Sequence, residues 1–240
     1  MANAKTLVRT VFPVAALVFS CQILADTSDK TYPDPARFED QIAAFEMADA
    51  KEMPPIGAIV CVGSSSMRGW HKHIADDLAP LTVIPRGFGG SNFNDLMYYL
   101  DRIVLKYRPR AILVYEGDND TAHGISPEKT ASMFAEFVAK VHEELPDCRI
   151  YFLAIKPSIS RWSIWPKMEE ANRLIETQCR IDDRLTYLDI ATGMLGEDGT
   201  PRPDIFLDDN LHMNRKGYEI WRDTVRPVLV EREAGYETGD

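Results

Sequence analysis

Two segments far apart in the chain contain residue types that could together carry out nucleophilic catalysis. Residues 64–66 are all serine and follow Gly63, and near the other end Asp209 stands three residues before His212. A serine hydroxyl is a weak nucleophile at neutral pH until a nearby base takes its proton, and an Asp that holds one histidine ring nitrogen leaves the other free as that base. These residues indicate nucleophilic catalysis by a serine. The alternatives are an ordinary helix N-cap for the serines and a solvated loop for the Asp/His pair.

Two further segments could supply hydrogen-bond donors close to the serine and the histidine. Residues 86–92 contain three glycines in four positions, which lets a backbone approach a ligand closely. A nucleotide site is the obvious rival, but Asn92 stands where the GxGxxG pattern needs its third glycine, and no GxxxxGK[ST] occurs. In residues 115–120, Asn119 offers a side-chain amide, although a polar turn is the simpler interpretation.

The elements that must position these residues alternate along the chain. Short, nearly continuous apolar runs are typical of buried parallel strands, and each is followed by a loop and an amphipathic helix. The predicted strands are residues 58–62, 81–84, 111–115, 150–155 and 185–188, and the predicted helices are residues 38–51, 67–78, 94–107, 127–145, 167–180 and 215–230. This pattern predicts one α/β domain, a three-layer α/β/α sandwich, from about residue 30 to 232. Ligands bind beyond the carboxyl ends of such strands, where all four segments lie.

Taken together, the four segments resemble a known family. Gly63-Ser64-Ser65, then Gly90, then Gly117-Asp118-Asn119-Asp120, then Asp209-Asn210-Leu211-His212 resemble, in this order, the motifs of the SGNH hydrolases, also called GDSL esterases/lipases. The resemblance spans about residues 57–230. It implies a flavodoxin-like sandwich with a five-stranded parallel sheet, serine hydrolase activity on carboxylic esters, and no metal or organic cofactor.

The resemblance also implies a role for each site residue. Ser65 would be the nucleophile, His212 the general base and acid, and Asp209 the residue that orients His212. The oxyanion hole would use the N–H groups of Ser65 and Gly90 and the side-chain amide of Asn119.

Two positions depart from the family pattern. Ser64 stands where the motif has Asp, and the run of three serines leaves Ser64 and Ser66 open as alternative nucleophiles. Pro85 stands where relatives often have Asn and lacks an N–H that could help to hold the glycine-rich loop.

The first residues have the pattern of a signal peptide. Lys5 and Arg9 precede an apolar stretch from residue 11 to 24, and Ala25 could end a cleavage site. The stretch is shorter than the roughly 20 residues of a membrane-spanning helix. We therefore expect residues 1–25 to be removed and residues 26–240 to form the hydrolase domain, periplasmic or secreted. An uncleaved anchor and lipidation at Cys21 are the alternatives, and either would bring membrane contact.

Composition and charge limit the partners. The 240 residues carry a formal charge of −10 and contain no Lys/Arg-rich run, so nucleic acid is not expected as a partner. The expected partner is a small-molecule ester with a short acyl group, such as an acetylated carbohydrate, or else a lysolipid or thioester. The competing hypothesis is that the protein itself is a non-catalytic binding protein on the same fold. Glu116, Asp118 and Asp120 are expected to make the cleft mouth acidic and to disfavour anionic substrates.

A few residues remain outside this pattern. Trp162 and Trp165 in the loop after the fourth predicted strand could stack on a sugar or simply pack the loop. Export would permit a Cys148–Cys179 disulfide, and Cys61 is expected to be a buried thiol. His71 and His73 are not spaced to share a helix face, so no metal site is predicted.

Overall fold

The computed structural model of the protein describes Met1 and residues 30–237. Its five strands are β1 (Ile59–Gly63), β2 (Val83–Gly87), β3 (Ala111–Tyr115), β4 (Arg149–Leu153) and β5 (Leu185–Leu188). They form one parallel sheet in the order β2-β1-β3-β4-β5. The carboxyl ends of β1, β2 and β3 therefore lie side by side, which brings the loops with the serines, the glycines and Asn119 to one edge of the sheet.

Helices cover both faces of the sheet. Their bounds are α1 (Glu39–Lys51), α2 (Ser65–Trp70), α3 (Ile74–Asp77), α4 (Phe93–Ile103), α5 (Asp118–Ala122), α6 (Pro127–Glu144), α7 (Trp165–Cys179) and α8 (Arg215–Glu233). Val114 pairs in register with Phe152, so the next residue, Tyr115, points to the opposite face. An aromatic cluster packs α4 and α6 on the first face: Phe93, Phe134, Phe152 and Tyr187. A second cluster packs α2 and α8 on the other: Trp70, Tyr115, Tyr218 and Trp221. The predicted three-layer α/β/α sandwich is confirmed.

Local polar groups set where several helices begin. Asn92 and Asp95 form a capping box at the start of α4, and Ser126 accepts from the Lys129 N–H at the start of α6. Asn214 caps α8, where its side chain accepts from backbone N–H groups in the first turn. Side chains of these types satisfy N–H groups that have no partner inside the helix.

The structure differs from the predicted elements near the site. The helix predicted over residues 67–78 is divided into α2 and α3 by a turn that contains the half-buried His71, whose Nε2 accepts from the Gly87 N–H at 2.8 Å. Strand β2 extends beyond its predicted end to Gly87 and includes Pro85. Because β2 is an edge strand that pairs only with β1, a residue without an N–H is tolerated there.

The three described cysteines are free and buried. Cys148 and Cys179 do not form the disulfide that export would permit, and burial raises the pKa of each thiol to about 12. Cys61 lies in β1 and is a buried thiol, as expected. Cys21 and the predicted signal peptide lie outside the described residues, Met1 apart. Among the residues that are described, no helix is both long and apolar enough to cross a membrane.

Candidate active site

The turn after β1 exposes one of the three serines. Gly63 has φ +142°, and a Cβ there would overlap the Tyr115 carbonyl of the neighbouring strand. The Ser64 N–H donates to that carbonyl at 3.1 Å, and α2 begins at the next residue. Ser64 and Ser66 are each 1% exposed, whereas Ser65 is half-buried and opens toward the site. A strand pressed against its neighbour therefore turns directly into a helix whose first residue is Ser65.

The loop before α8 brings His212 to this serine. His212 Nε2 lies 2.9 Å from Ser65 Oγ, and its Nδ1 lies 2.5 Å from Asp209 Oδ2. The other Asp209 oxygen accepts from the backbone N–H groups of Leu211 and His212 at 3.0 and 2.9 Å. These hydrogen bonds, first that from His212, lower the pKa of Asp209 to about 2 and keep the carboxylate ionised. Asp209 can thus hold the ring with Nε2 facing the serine.

The glycine-rich loop lies directly against α2. A Cβ at Gly87 would overlap the backbone of Arg68, and one at Gly89 would stand 3.9 Å from the Ser65 Cβ. Gly90 has φ +92°, a conformation that glycine adopts without strain. Within residues 30–237, the N–H groups of Ser65 and Gly90 donate to no protein acceptor. They are therefore available to a ligand oxygen.

Asn119 lies in α5, a short helix where the sequence had suggested a turn. Its side chain is buried, and its Nδ2 donates to the Ser91 carbonyl, next to Gly90, at 2.8 Å. Its Oδ1 accepts from Arg161 Nη2 at 3.0 Å. The hydrogen bond to Ser91 connects Asn119 to the glycine-rich loop, and one Nδ2 hydrogen remains unused.

The expected acidic cleft mouth is wrong, because Glu116, Asp118 and Asp120 are all buried. Burial raises the pKa of Glu116 well above its ordinary value and that of Asp120 to about 6. Burial acts in the same direction on Asp118, but the charges of Lys156 and Arg161 outweigh it and lower its pKa. These carboxyls therefore do not present a cluster of negative charge to an arriving substrate.

The tryptophan loop packs on itself and on the histidine loop. The Trp162 and Trp165 rings stack with centroids 6.0 Å apart, and Trp165 is buried. The Ser160 N–H donates to the Asn210 carbonyl at 3.1 Å, which joins this loop to the turn that carries His212. Packing is therefore the observed role of Trp165, whereas Trp162 is half-buried.

Three further histidines, His71, His123 and His142, make structural contacts. His123 Nδ1 lies 2.8 Å from the Asn119 carbonyl, and His142 Nε2 lies 2.9 Å from the Cys148 carbonyl. Burial, followed by the charges of Arg86 and Arg68, lowers the pKa of His71 to about 4, so its ring is neutral. Over the described residues, no three His, Cys, Asp or Glu side chains are grouped so that they could hold a metal ion.

A match to a family model confirms the family that the motifs suggested. The model of the GDSL-like lipase/acylhydrolase family matches residues 57–220, which include the three site loops and the turn with His212. The chain belongs to the GDSL-like lipase/acylhydrolase family. Among proteins of curated function, none matches this sequence.

Solved structures share the fold of this GDSL-like chain. A candidate acylhydrolase from Bacteroides fragilis is 17% identical, with a TM-score of 0.67 over 85% of this chain and 99% of its own. A GDSL-like lipase from Bacteroides thetaiotaomicron is 18% identical, with a TM-score of 0.64 over 82% and 98%. An acetylxylan esterase from Geobacillus stearothermophilus is 12% identical, with a TM-score of 0.57 over 74% and 94%. At these identities the likeness shows the fold.

Sequence reasoning missed part of this GDSL-like site. The sequence motifs do not point to Ser91, Lys156 or Arg161. Lys156 was detectable in principle, because it directly follows the apolar run of β4, at the strand end where the other site loops begin. Its side chain is fully buried and lies 3.3 Å from Asp118.

Proposed function

We propose that this protein is a serine esterase that hydrolyses the carboxylic ester bonds of small or short-acyl substrates through an acyl-Ser65 intermediate. The observation that carries the proposal is the 2.9 Å contact between Ser65 Oγ and His212 Nε2, with Asp209 on the other ring nitrogen. This distance lies inside the range of roughly 2.6–3.2 Å in which a base can take a hydroxyl proton. Membership of the GDSL-like lipase/acylhydrolase family supports ester hydrolysis.

The mechanism follows from these contacts. His212 takes the Ser65 proton as Oγ attacks the carbonyl carbon, and a tetrahedral oxyanion forms. His212 then gives that proton to the leaving alcohol as the ester C–O bond breaks, which leaves the acyl group on Ser65. Water, activated by the same ring, attacks the acyl-serine, and the acid departs as Ser65 regains its proton.

Three donors can stabilise the oxyanion. The Ser65 and Gly90 N–H groups and the second Nδ2 hydrogen of Asn119 come from loops after β1, β2 and β3, so the sheet fixes their spacing. A well-placed donor contributes roughly 3–4 kcal/mol to stabilising such a transition state. This step needs no contribution from a cofactor.

The proposed substrate is a small acetylated molecule, such as an acetylated carbohydrate. The fold likeness to an acetylxylan esterase supports this choice, and the burial of Glu116, Asp118 and Asp120 removes the charge argument against anionic esters. We also propose export to the periplasm or beyond, from the pattern of residues 1–25; anchoring through a lipid at Cys21 is the alternative.

The test uses the chain from residue 26 onward. We expect a fluorophosphonate probe to label Ser65 and p-nitrophenyl acetate to be hydrolysed. A folded sample that shows neither labelling nor turnover would overturn the proposal and favour a non-catalytic binding protein. A series of p-nitrophenyl esters from acetate to laurate, run beside acetylated xylan and a lysophospholipid, identifies the substrate. A maximum at acetate supports the proposal, and a maximum at long chains or on lysophospholipid favours a lysophospholipase instead.

A further inference from the structure

The amide of Asn119 is held in one orientation by contacts at both ends. Nδ2 donates to the Ser91 carbonyl at 2.8 Å, and Oδ1 accepts from Arg161 Nη2 at 3.0 Å. If the amide rotated by 180°, its oxygen would face the Ser91 carbonyl and its NH₂ would face the guanidinium. Both contacts would then be repulsive, so the second Nδ2 hydrogen keeps one direction.

Arg161 is itself held in place through its other terminal nitrogen. Its Nη1 donates to Asp118 Oδ1 at 2.5 Å, and the other Asp118 oxygen accepts from Lys156 Nζ at 3.3 Å and from the Tyr115 hydroxyl at 3.2 Å. Lys156 is fully buried and the Arg161 side chain is 19% exposed. The guanidinium therefore has little freedom to leave the Asn119 oxygen.

A positive charge lies beside the amide of Asn119. Asp118 is ionised, since Lys156 and Arg161 lower its pKa despite burial, whereas burial lowers the pKa of Lys156 itself. The Arg161 guanidinium contacts the Asn119 oxygen, the acceptor end of the amide, at 3.0 Å. A cation there draws electron density from the amide and makes its N–H a stronger donor.

We propose that Arg161 is a positioning residue for ester hydrolysis that acts through Asn119. It fixes the amide so that one Nδ2 hydrogen points to the oxyanion, and it polarises that amide while the negative charge develops. The inference rests on the proposed function. It adds one requirement to the three oxyanion donors: Arg161, in the loop after β4, must hold Asn119, in the segment after β3.

The test is a double-mutant cycle on p-nitrophenyl acetate hydrolysis, using Arg161→Met, Asn119→Ala and the double variant. We expect Arg161→Met to lower kcat by about 10- to 100-fold, within the range for a lost oxyanion contact, and to change KM by less than about threefold. In the Asn119→Ala background the same change should lower kcat by less than about threefold. Arg180→Met, which removes an exposed cation paired with Glu176 on α7, is the matched control and should leave kcat unchanged.

Two further variants keep the proposal testable if Arg161→Met folds poorly. Arg161→Lys retains the charge without the planar fork and should fall between wild type and Arg161→Met. Arg161→Ala should regain part of its kcat with ethylguanidinium, but not when Asn119 is also Ala. An undiminished kcat in folded Arg161→Met, or an equal loss with and without Asn119, would overturn the proposal.

Ser65→Ala, measured beside these variants, separates the two conclusions. If Ser65→Ala retains turnover, the proposed function fails. If Ser65→Ala is inactive while the Arg161 variants behave like wild type, only the positioning role of Arg161 fails.

Discussion

His212 Nε2 lies 2.9 Å from Ser65 Oγ although 147 residues separate the two positions along the chain. The serine begins α2 at the end of β1, and the histidine stands in the turn before α8. Helix α8 packs its Tyr218 against α2, where the Tyr218 hydroxyl donates to the Ser66 carbonyl at 2.9 Å. The proposed nucleophile and base are therefore joined by packing between the first and last helices of the site.

The Ser65 hydroxyl should be indispensable while its neighbour is not. We expect Ser65→Ala to lower kcat by roughly four to six orders of magnitude, because loss of a serine nucleophile removes the covalent pathway. Ser64→Ala should retain most activity and stability, since the buried Ser64 hydroxyl has no hydrogen-bond partner in the described part of the chain. Steady-state kinetics and thermal melts measure both; an inactive but folded Ser64→Ala would contradict the assignment.

Asp209→Asn should impair turnover at every pH at which the enzyme works. An amide cannot stabilise the cationic ring as the carboxylate does, and it can favour the wrong ring tautomer, so kcat should fall by roughly 10²- to 10⁴-fold. The pKa of Asp209 is lowered to about 2, so the carboxylate is ionised throughout the neutral range and the loss should persist from about pH 6 to 9. A pH series of kcat/KM checks this, and a loss that vanishes within the range would contradict it.

Glu116→Gln should stabilise the fold increasingly as pH rises. Burial, reinforced by the charge of Asp120, raises the pKa of Glu116 well above its ordinary 4.5, so the folded state holds the proton more tightly than the unfolded state. The contribution of this group to stability is full below about pH 4.5 and is lost as pH rises through the raised folded pKa. Gln has the shape of the protonated acid and keeps an oxygen for the Ser91 hydroxyl.

Thermal melts at pH 5 and pH 8 measure this effect. The Tm of Glu116→Gln minus that of wild type should grow between the two pH values. Glu143→Gln, an exposed change on α6, serves as the control and should show no such growth. Parallel Tm curves for Glu116→Gln and wild type would contradict the assignment of a protonated Glu116.

The cysteines should behave as buried thiols. Cys148 and Cys179 are free, and burial raises the pKa of each to about 12, which leaves almost no thiolate at neutral pH. We expect the Tm to be the same with and without dithiothreitol, and a thiol reagent to label these residues only after unfolding. A Tm that falls in dithiothreitol would instead indicate a Cys148–Cys179 disulfide.

The sequence by itself was sufficient to predict the architecture and to identify the loops that form the site. Five short apolar runs predict a parallel sheet because buried strands need apolar residues on both faces, and the family motifs follow the strands in order. The spacing of Asp209 and His212 could also be interpreted locally, since a three-residue separation within one turn brings the two side chains together.

Only the tertiary structure decided which serine meets the histidine and what charge the site carries. Ser64, Ser65 and Ser66 are chemically identical in the sequence, and the turn at Gly63 exposes one of them. Glu116 and Asp118 are both acids in the sequence, yet Glu116 is buried with no cation paired to it among residues 30–237, while Asp118 contacts both Lys156 and Arg161. Protonation depends on burial and on neighbours from distant segments, so residue type alone could not reveal that the predicted acidic mouth is absent.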